Sequence, residues 1–495
     1  MSAVAGKAIK GTVLSVVAQI VSQAMRMVST IVMARYLSEA AFGINNFVIV
    51  ITTGLWMVSD VGIGHAVMRS TREDDDFVDT AWTLSTVRGV VLFVLGCIAG
   101  PVAAKVYGEP ALLWLVPFVS LMILFLSAES IQIYTLQRRV DVTRVLVIDL
   151  VSQGAAMAIS IPIAVLTGHV IALAAAAVGS AFVRFVLSHV ALGGKRHRPR
   201  WDKPAVGEIF SFGQWVFLST LLSFLAARWD GLSLPKLEGF ALFGVYGLAS
   251  QITSVPNQIA GQVVSMVLTP ILADAFRGSP DQLRHKLGEA RSAYLPAAML
   301  LFLGAATTAP AFFLLAYNKP AFQAAGPMTQ VLMLQVWLAF LQEASSRAMV
   351  AVGDGRGLAF TNGLKVAATV LATLVGFQVG GFEGFVAGTI VGALVGVVVV
   401  GVRLRQQGLP GLGGDLGATV VFVALGGVAC YGPVALAPVV GVHAAWLTLV
   451  GCVLVCGPLG LYVMRKVRSV RAANHSAAEE PDVPDAAAAT STTTT

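Results

Sequence analysis

Long apolar runs separated by short polar connections account for most of the 495-residue chain. An α-helix needs about 20 predominantly apolar residues to cross the hydrocarbon core of a bilayer. Runs of that length lie near 12–34, 43–66, 82–106, 111–136, 145–167, 169–191 and 208–233. Seven more follow near 240–272, 292–317, 324–351, 358–380, 383–402, 417–438 and 442–464. Spans five and six, and eleven and twelve, are parted only by short glycine or histidine turns. A membrane strand barrel would instead show alternating stretches of about ten residues, and none is present. The predicted class is an all-α membrane protein with about 14 transmembrane helices.

Charge supports this threading. Fourteen spans put the even-numbered connections on the side of both chain ends. That side holds Lys7, Lys10, Arg69, Arg72, Arg138, Arg139, Arg144, Lys195, Arg196, Arg198, Arg200 and Lys203. It also holds Arg277, Arg284, Lys286, Arg291, Arg347, Arg356, Arg403, Arg405, Arg465, Lys466, Arg468 and Arg471. The opposite side has Arg35, Lys105, Lys236 and Lys319, about 24 against 4. Basic residues accumulate on cytoplasmic loops, so both termini are predicted to be cytoplasmic, in a multi-pass protein of the inner cell membrane.

The longest basic connection, within 193–206, splits the chain. The expected organisation is a first lobe over 1–192, this linker, a second six-helix lobe over 207–405, two further helices over 406–471, and a disordered tail over 472–495. The lobes echo each other. Arg26, Arg35 and Ala41-Phe42-Gly43 correspond to Arg228, Lys236 and Leu242-Phe243-Gly244, about 201 residues later. Parallel repeats of this kind occur in transporters, with a substrate site at the repeat interface.

Composition agrees. Only 12% of residues are charged, about half the share in soluble proteins. The net charge of +7 invites a nucleic-acid reading, but the basic residues sit in short clusters between apolar runs, so no nucleic-acid partner is expected. Cys97, Cys430, Cys452 and Cys456 fall in apolar segments and read as small buried hydrophobes, with no disulfide framework or metal spacing. No phosphate-cradling loop, zinc-protease motif or nucleophile elbow is present. An enzyme is not expected, nor is a cofactor beyond H+ or Na+ coupling.

Basic residues inside the spans need explaining, because a central charge costs about 2.5–3.5 kcal/mol on insertion scales. Arg184 and Lys365 lie within about two turns of a cytoplasmic end and can reach the interface by snorkelling. Arg88 is open to the same reading. Arg228 has Asp230 and Lys236 close by in sequence, so a local ion pair competes with a place in a cavity. Arg26 is mid-span and continues a polar stripe of Ser15, Gln19, Ser22 or Gln23, and Thr30. Those steps of three and four fall on one helix face, which in lipid must line a wet cavity or pack on polar neighbours. A second stripe, Gln251, Ser254, Gln258 and Gln262, faces either such a cavity or partner helices bound through amide hydrogen bonds. Asp60, Glu129, Asp149 and Glu343 are read as ion-coupling groups or as structural salt-bridge partners.

The order of motifs resembles a known family. Ala34-Arg35, Leu37 and Phe42-Gly43 are followed by Asp60, Gly62 and Gly64, then Lys105-Val-Tyr-Gly-Glu-Pro110 and a Tyr-Gly-Leu-Ala-Ser-Gln opening to span eight. This is similar to Wzx-type oligosaccharide flippases of the polysaccharide transport family, in the multidrug/oligosaccharidyl-lipid/polysaccharide exporter superfamily. The resemblance implies two six-helix lobes in a V shape and alternating access. The implied cargo is an oligosaccharide on undecaprenyl diphosphate, moved to the outer leaflet for surface polysaccharide synthesis, with polymerase or export machinery as partners. Arginine's planar fork suits phosphate oxygens. Arg26 therefore leads the expected substrate-binding set, with Gln19, Gln23, Arg88, Arg228, Gln251 and Gln258, while Asp60 and Glu129 are the ion-coupling candidates. Spans thirteen and fourteen are also found in lipid II flippases, so that activity is the alternative, beside a multidrug or small-solute exporter.

Overall fold

A computed structural model describes residues 2–58, 75–138, 143–192, 198–275, 280–440 and 443–479. Helices are the only regular elements among them. In chain order they are α1 (Ser2–Tyr36), α2 (Glu39–Val58), α3 (Asp75–Tyr107), α4 (Leu112–Ser127), α5 (Gln132–Arg138), α6 (Thr143–Thr167) and α7 (Ile171–Val190). Then come α8 (Lys203–Ala275), α9 (Pro280–Ala316), α10 (Pro320–Gln323), α11 (Ala325–Ala351) and α12 (Gly355–Gln406). The last are α13 (Leu412–Gly426), α14 (Gly432–Val440) and α15 (Ala444–Glu479), with a single π turn at Gly427–Tyr431. Ten helices among the described residues are long and apolar enough to cross a membrane. The protein is a multi-pass membrane protein: large apolar side chains such as Ile98, Leu166, Val379 and Leu454 stay exposed, where only lipid makes them stable.

Local sequence sets the breaks. Ser38 caps α2 by accepting from the Ala41 N–H at 3.3 Å, and Asp354 caps α12 by accepting from Gly357 N–H at 2.8 Å. The long element α8 changes direction at Gly239, with φ 83°, and α12 turns at Gly380–Gly381, where Gly381 has φ 57°. Gly239 and Gly381 both fall between predicted spans, and their positive φ is one that L side chains rarely adopt.

The reading of 111–136 as one uninterrupted span is corrected. The helix stops at Ser127 and restarts at Gln132. A break at membrane depth needs other donors for the freed carbonyls. Trp82 Nε1 donates to Ala128 O at 3.1 Å and Ser85 Oγ to Ser127 O at 2.8 Å, both from α3. The Ser130 N–H in turn donates to Ser188 Oγ of α7 at 3.0 Å.

Helix α3 packs on α4, α4 on α7, α6 on α7, and α1 on α6. In the second half α11 packs on α8 and α12, and α9 on α8 and α11. Helix α15 packs along α9, and the Trp337 and Phe422 rings stack at 4.8 Å to tie α13 to α11. A second tie is ionic. Asp415 of α13, 1% exposed, accepts from Arg291 Nη2 of α9 at 2.6 Å and from Ser345 Oγ of α11 at 3.2 Å.

The halves meet along α2 and α8. Here the echoed Phe-Gly pairs contact each other. A Cβ added to Gly43 would fall on the Phe240 carbonyl, and one added to Gly244 on the Glu39 carbonyl. Around this crossing, Tyr107 Oη donates to Leu232 O at 2.7 Å, Lys319 Nζ to Leu37 O at 2.6 Å, and Lys236 Nζ to Val106 O at 2.5 Å. These residues belong to the connections on the sparsely basic side. The halves are therefore zipped together on that side.

Gly43→Val and Gly244→Val are each expected to destabilise the solubilised protein by about 2 kcal/mol, the usual cost of overpacking. Gly288→Ala, with open space beside it, should not. Thermal unfolding checks this; equal midpoints for the three variants would contradict the close approach.

Candidate functional site

Helix α1 divides its surface between two environments. Val17, Ile20, Val21 and Val28 are exposed to the lipid side. Ser15, Gln19, Ser22 and Arg26, on the opposite stripe, line a cavity of about 310 Å³. The other walls come from Met122 and Leu126 of α4, Leu146, Asp149, Ser152 and Gln153 of α6, and Ser180, Ala181 and Arg184 of α7. A partly open polar chamber thus sits inside the first half of the chain, walled by four helices.

Arg26 is part-buried at this wall. Its Nη2 and Nε donate to Gln23 Oε1, one turn back on α1, at 2.8 and 3.3 Å. Its Nη1 has no partner among the described residues. A neutral amide fixes the plane of the guanidinium and leaves its charge uncompensated, so Arg26 can accept an anion without first giving up a carboxylate.

Arg184 is held differently. Its Nε donates to Glu129 Oε2 at 2.8 Å, and Nη1 lies against Asp149 Oδ1. The snorkelling expected for Arg184 is corrected: the side chain turns to two carboxylates on neighbouring elements. For Glu129 the salt-bridge reading applies, and Glu129 does not line the cavity. A polar-face signal existed for this network. Ser180, Arg184 and Ser188 recur at four-residue steps on α7, and Asp149, Ser152 and Gln153 share a face of α6. The pairing with Glu129 spans 55 positions and leaves no local trace.

The remaining candidates are scattered. Gln19 lines the cavity and donates to Gln258 Oε1 of α8 at 2.7 Å, so the two polar stripes touch at this point. Gln258 and Gln251 do not line the chamber; Gln251 is part-buried and Gln258 exposed. Arg88 of α3 lies over the Trp56 ring at 4.6 Å and donates to Trp56 O at 3.4 Å. Arg228 is exposed and forms no ion pair among the described residues. Of the two readings left open for Arg228, the local ion pair does not form: Asp230 accepts from Tyr246 Oη at 2.7 Å and from Gly231 N–H at 2.8 Å. Glu343 pairs with Arg347 at 3.5 Å. Asp60, and with it Gly62 and Gly64, lies outside the described residues.

The chamber lies within the first half of the chain and not at the interface of the two halves, where the internal repeat predicts a substrate site. The chain belongs to the polysaccharide biosynthesis protein family, whose match covers residues 32–319. It is 26% identical over 230 residues to the teichuronic acid biosynthesis protein TuaB of Bacillus subtilis, covering 44% of this chain and 45% of that protein. It is 22% identical to the lipopolysaccharide biosynthesis protein WzxC of Escherichia coli, covering 54% of each. The chain spans about half the length of the curated relatives it matches. Among solved structures it shares the fold of the lipid II flippase MurJ in an inward closed conformation, with a TM-score of 0.66 at 13% identity. That match covers 92% of this chain and 99% of the other.

A double-mutant cycle of Glu129→Ala with Arg184→Ala is expected to give a coupling energy of about 2 kcal/mol in unfolding of the solubilised protein. A coupling near zero would mean that the pair does not tie α7 to the break after α4.

Proposed function

We propose that this protein is a flippase that carries an undecaprenyl-diphosphate-linked oligosaccharide from the cytoplasmic to the outer leaflet of the inner membrane, for surface polysaccharide biosynthesis. The observation that carries the reading is Arg26: a guanidinium without a carboxylate partner among the described residues, inside a polar cavity of a lipid-embedded bundle. A diphosphate crossing hydrocarbon needs such a cation, since unpaired charge in a low dielectric is costly. The family match and the saccharide pathways named for TuaB and WzxC support the same cargo.

The transport cycle is alternating access, with the two halves rocking about the α2–α8 crossing. Contacts between the halves on the sparsely basic side support reading the described state as closed on its outer side. We assign fourteen crossings with both termini cytoplasmic, because the glycine turns in α8 and α12 each separate two apolar segments. H+ or Na+ coupling and a polysaccharide polymerase as neighbour belong to the same proposal. A lipid II flippase is the second reading, favoured by the near-complete overlap with the fold of MurJ.

In a strain lacking the native gene, Arg26→Ala is expected to abolish surface polysaccharide at normal protein level, while Arg26→Lys keeps part of it. Normal polymer with Arg26→Ala would remove the proposed role. Topology is tested separately. Asn318→Cys should react with an impermeant thiol reagent added to intact cells, and Gln407→Cys only after permeabilisation. The reverse pattern would invert the orientation.

A further inference from the structure

We propose that Arg184 is a second anion-binding group of the cavity, and that Asp149 is the internal counter-ion which an incoming phosphate displaces. The inference rests on the flippase reading and adds a switch to its site.

Arg184 and Asp149 both line the chamber that holds Arg26, whereas Glu129 lies behind the wall. The three partners differ in exposure. The Glu129 side chain is 10% exposed and that of Arg184 is 24%, while that of Asp149 is 42% exposed. Glu129 therefore cannot leave Arg184 without stranding a buried carboxylate. Asp149 can, because cavity water would solvate it. Glu129 engages Nε and fixes the plane of the guanidinium, while Nη1 lies against Asp149, which itself lines the chamber.

Charge balance gives the exchange a direction. With Arg26, Arg184 and Asp149 at the chamber and Glu129 behind its wall all ionised, these four charges sum to zero. That balance suits an apolar surround in the absence of cargo. A diphosphate brings negative charge that Arg26 alone does not neutralise. If Arg184 trades the Asp149 carboxylate for a phosphate oxygen, two guanidinium forks converge on one headgroup. The exchange is reversible. Asp149 competes for the same edge and holds affinity at a level from which the carrier can leave, as transport requires. By linkage, a change in Asp149 that weakens its contact with an intact Arg184 must strengthen the phosphate contact.

The test measures binding of undecaprenyl diphosphate to the purified full-length protein in detergent, with undecaprenol as the uncharged control. Asp149→Asn keeps the Glu129–Arg184 pair and is expected to tighten diphosphate binding on the order of tenfold. Arg184→Gln should weaken it by a similar factor, and the double variant should show no gain over Arg184→Gln. Unchanged or weaker binding with Asp149→Asn, at an unchanged thermal midpoint, would mean that Asp149 is structural and would overturn the proposal. Wild-type protein that binds the diphosphate no better than undecaprenol would remove the flippase reading itself, and this switch with it.

Discussion

Among acyl chains, a charged side chain must find its partner inside the protein, because lipid offers neither a counter-ion nor a hydrogen bond. The Arg184 network meets that demand for the first half of this chain. It joins α7 to α6 through Asp149 and to the break after α4 through Glu129. The break is tolerated because donors on α3 and an acceptor on α7 satisfy its backbone. Helices held apart by polar side chains cannot close into a dry core, and the space they leave is the chamber that Arg26 faces. The same constraint that makes the network necessary therefore also creates the site.

The two halves are joined by a different kind of contact. Gly43 and Gly244 let two backbones meet where any side chain would intrude, and van der Waals packing and carbonyl hydrogen bonds replace ionic ties. Small-residue crossings are a common solution between membrane helices, where no hydrophobic driving force acts. Lys236 and Lys319, two of the few basic residues on the sparsely charged side, donate to carbonyls of the opposite half. Such neutral acceptors can be exchanged for water at modest cost, which suits the opening of this seam in the proposed cycle. The ionic Arg291–Asp415 tie, by contrast, sits within the second half and fastens α13 to it.

Much of this was legible in the sequence. Apolar run length and the distribution of basic residues gave the class, and the breaks at Gly239 and Gly380–Gly381 fell where turns were expected. The stripe on α1 placed Arg26 on a polar face because three- and four-residue steps are a local property of a helix. The echoed Phe-Gly pairs marked related positions, though not that they touch. What the chain hid was non-local. Nothing near Arg184 in sequence names Glu129 or Asp149 as its partners, and the closeness of Asp230 to Arg228 left a local ion pair open where Asp230 instead accepts from Tyr246, 16 positions on. The break at Ser127 was invisible for the same reason: its compensating donors lie on α3.

In the proposed function a part-buried guanidinium in the first half of the chain, Arg26, receives the phosphates of a lipid carrier. An experimental structure with an undecaprenyl-diphosphate-linked sugar bound tests it most directly. Phosphate oxygens are expected at hydrogen-bonding distance from Arg26, inside the chamber walled by α1, α4, α6 and α7. A headgroup bound elsewhere, with Arg26 still held by Gln23 alone, would contradict it.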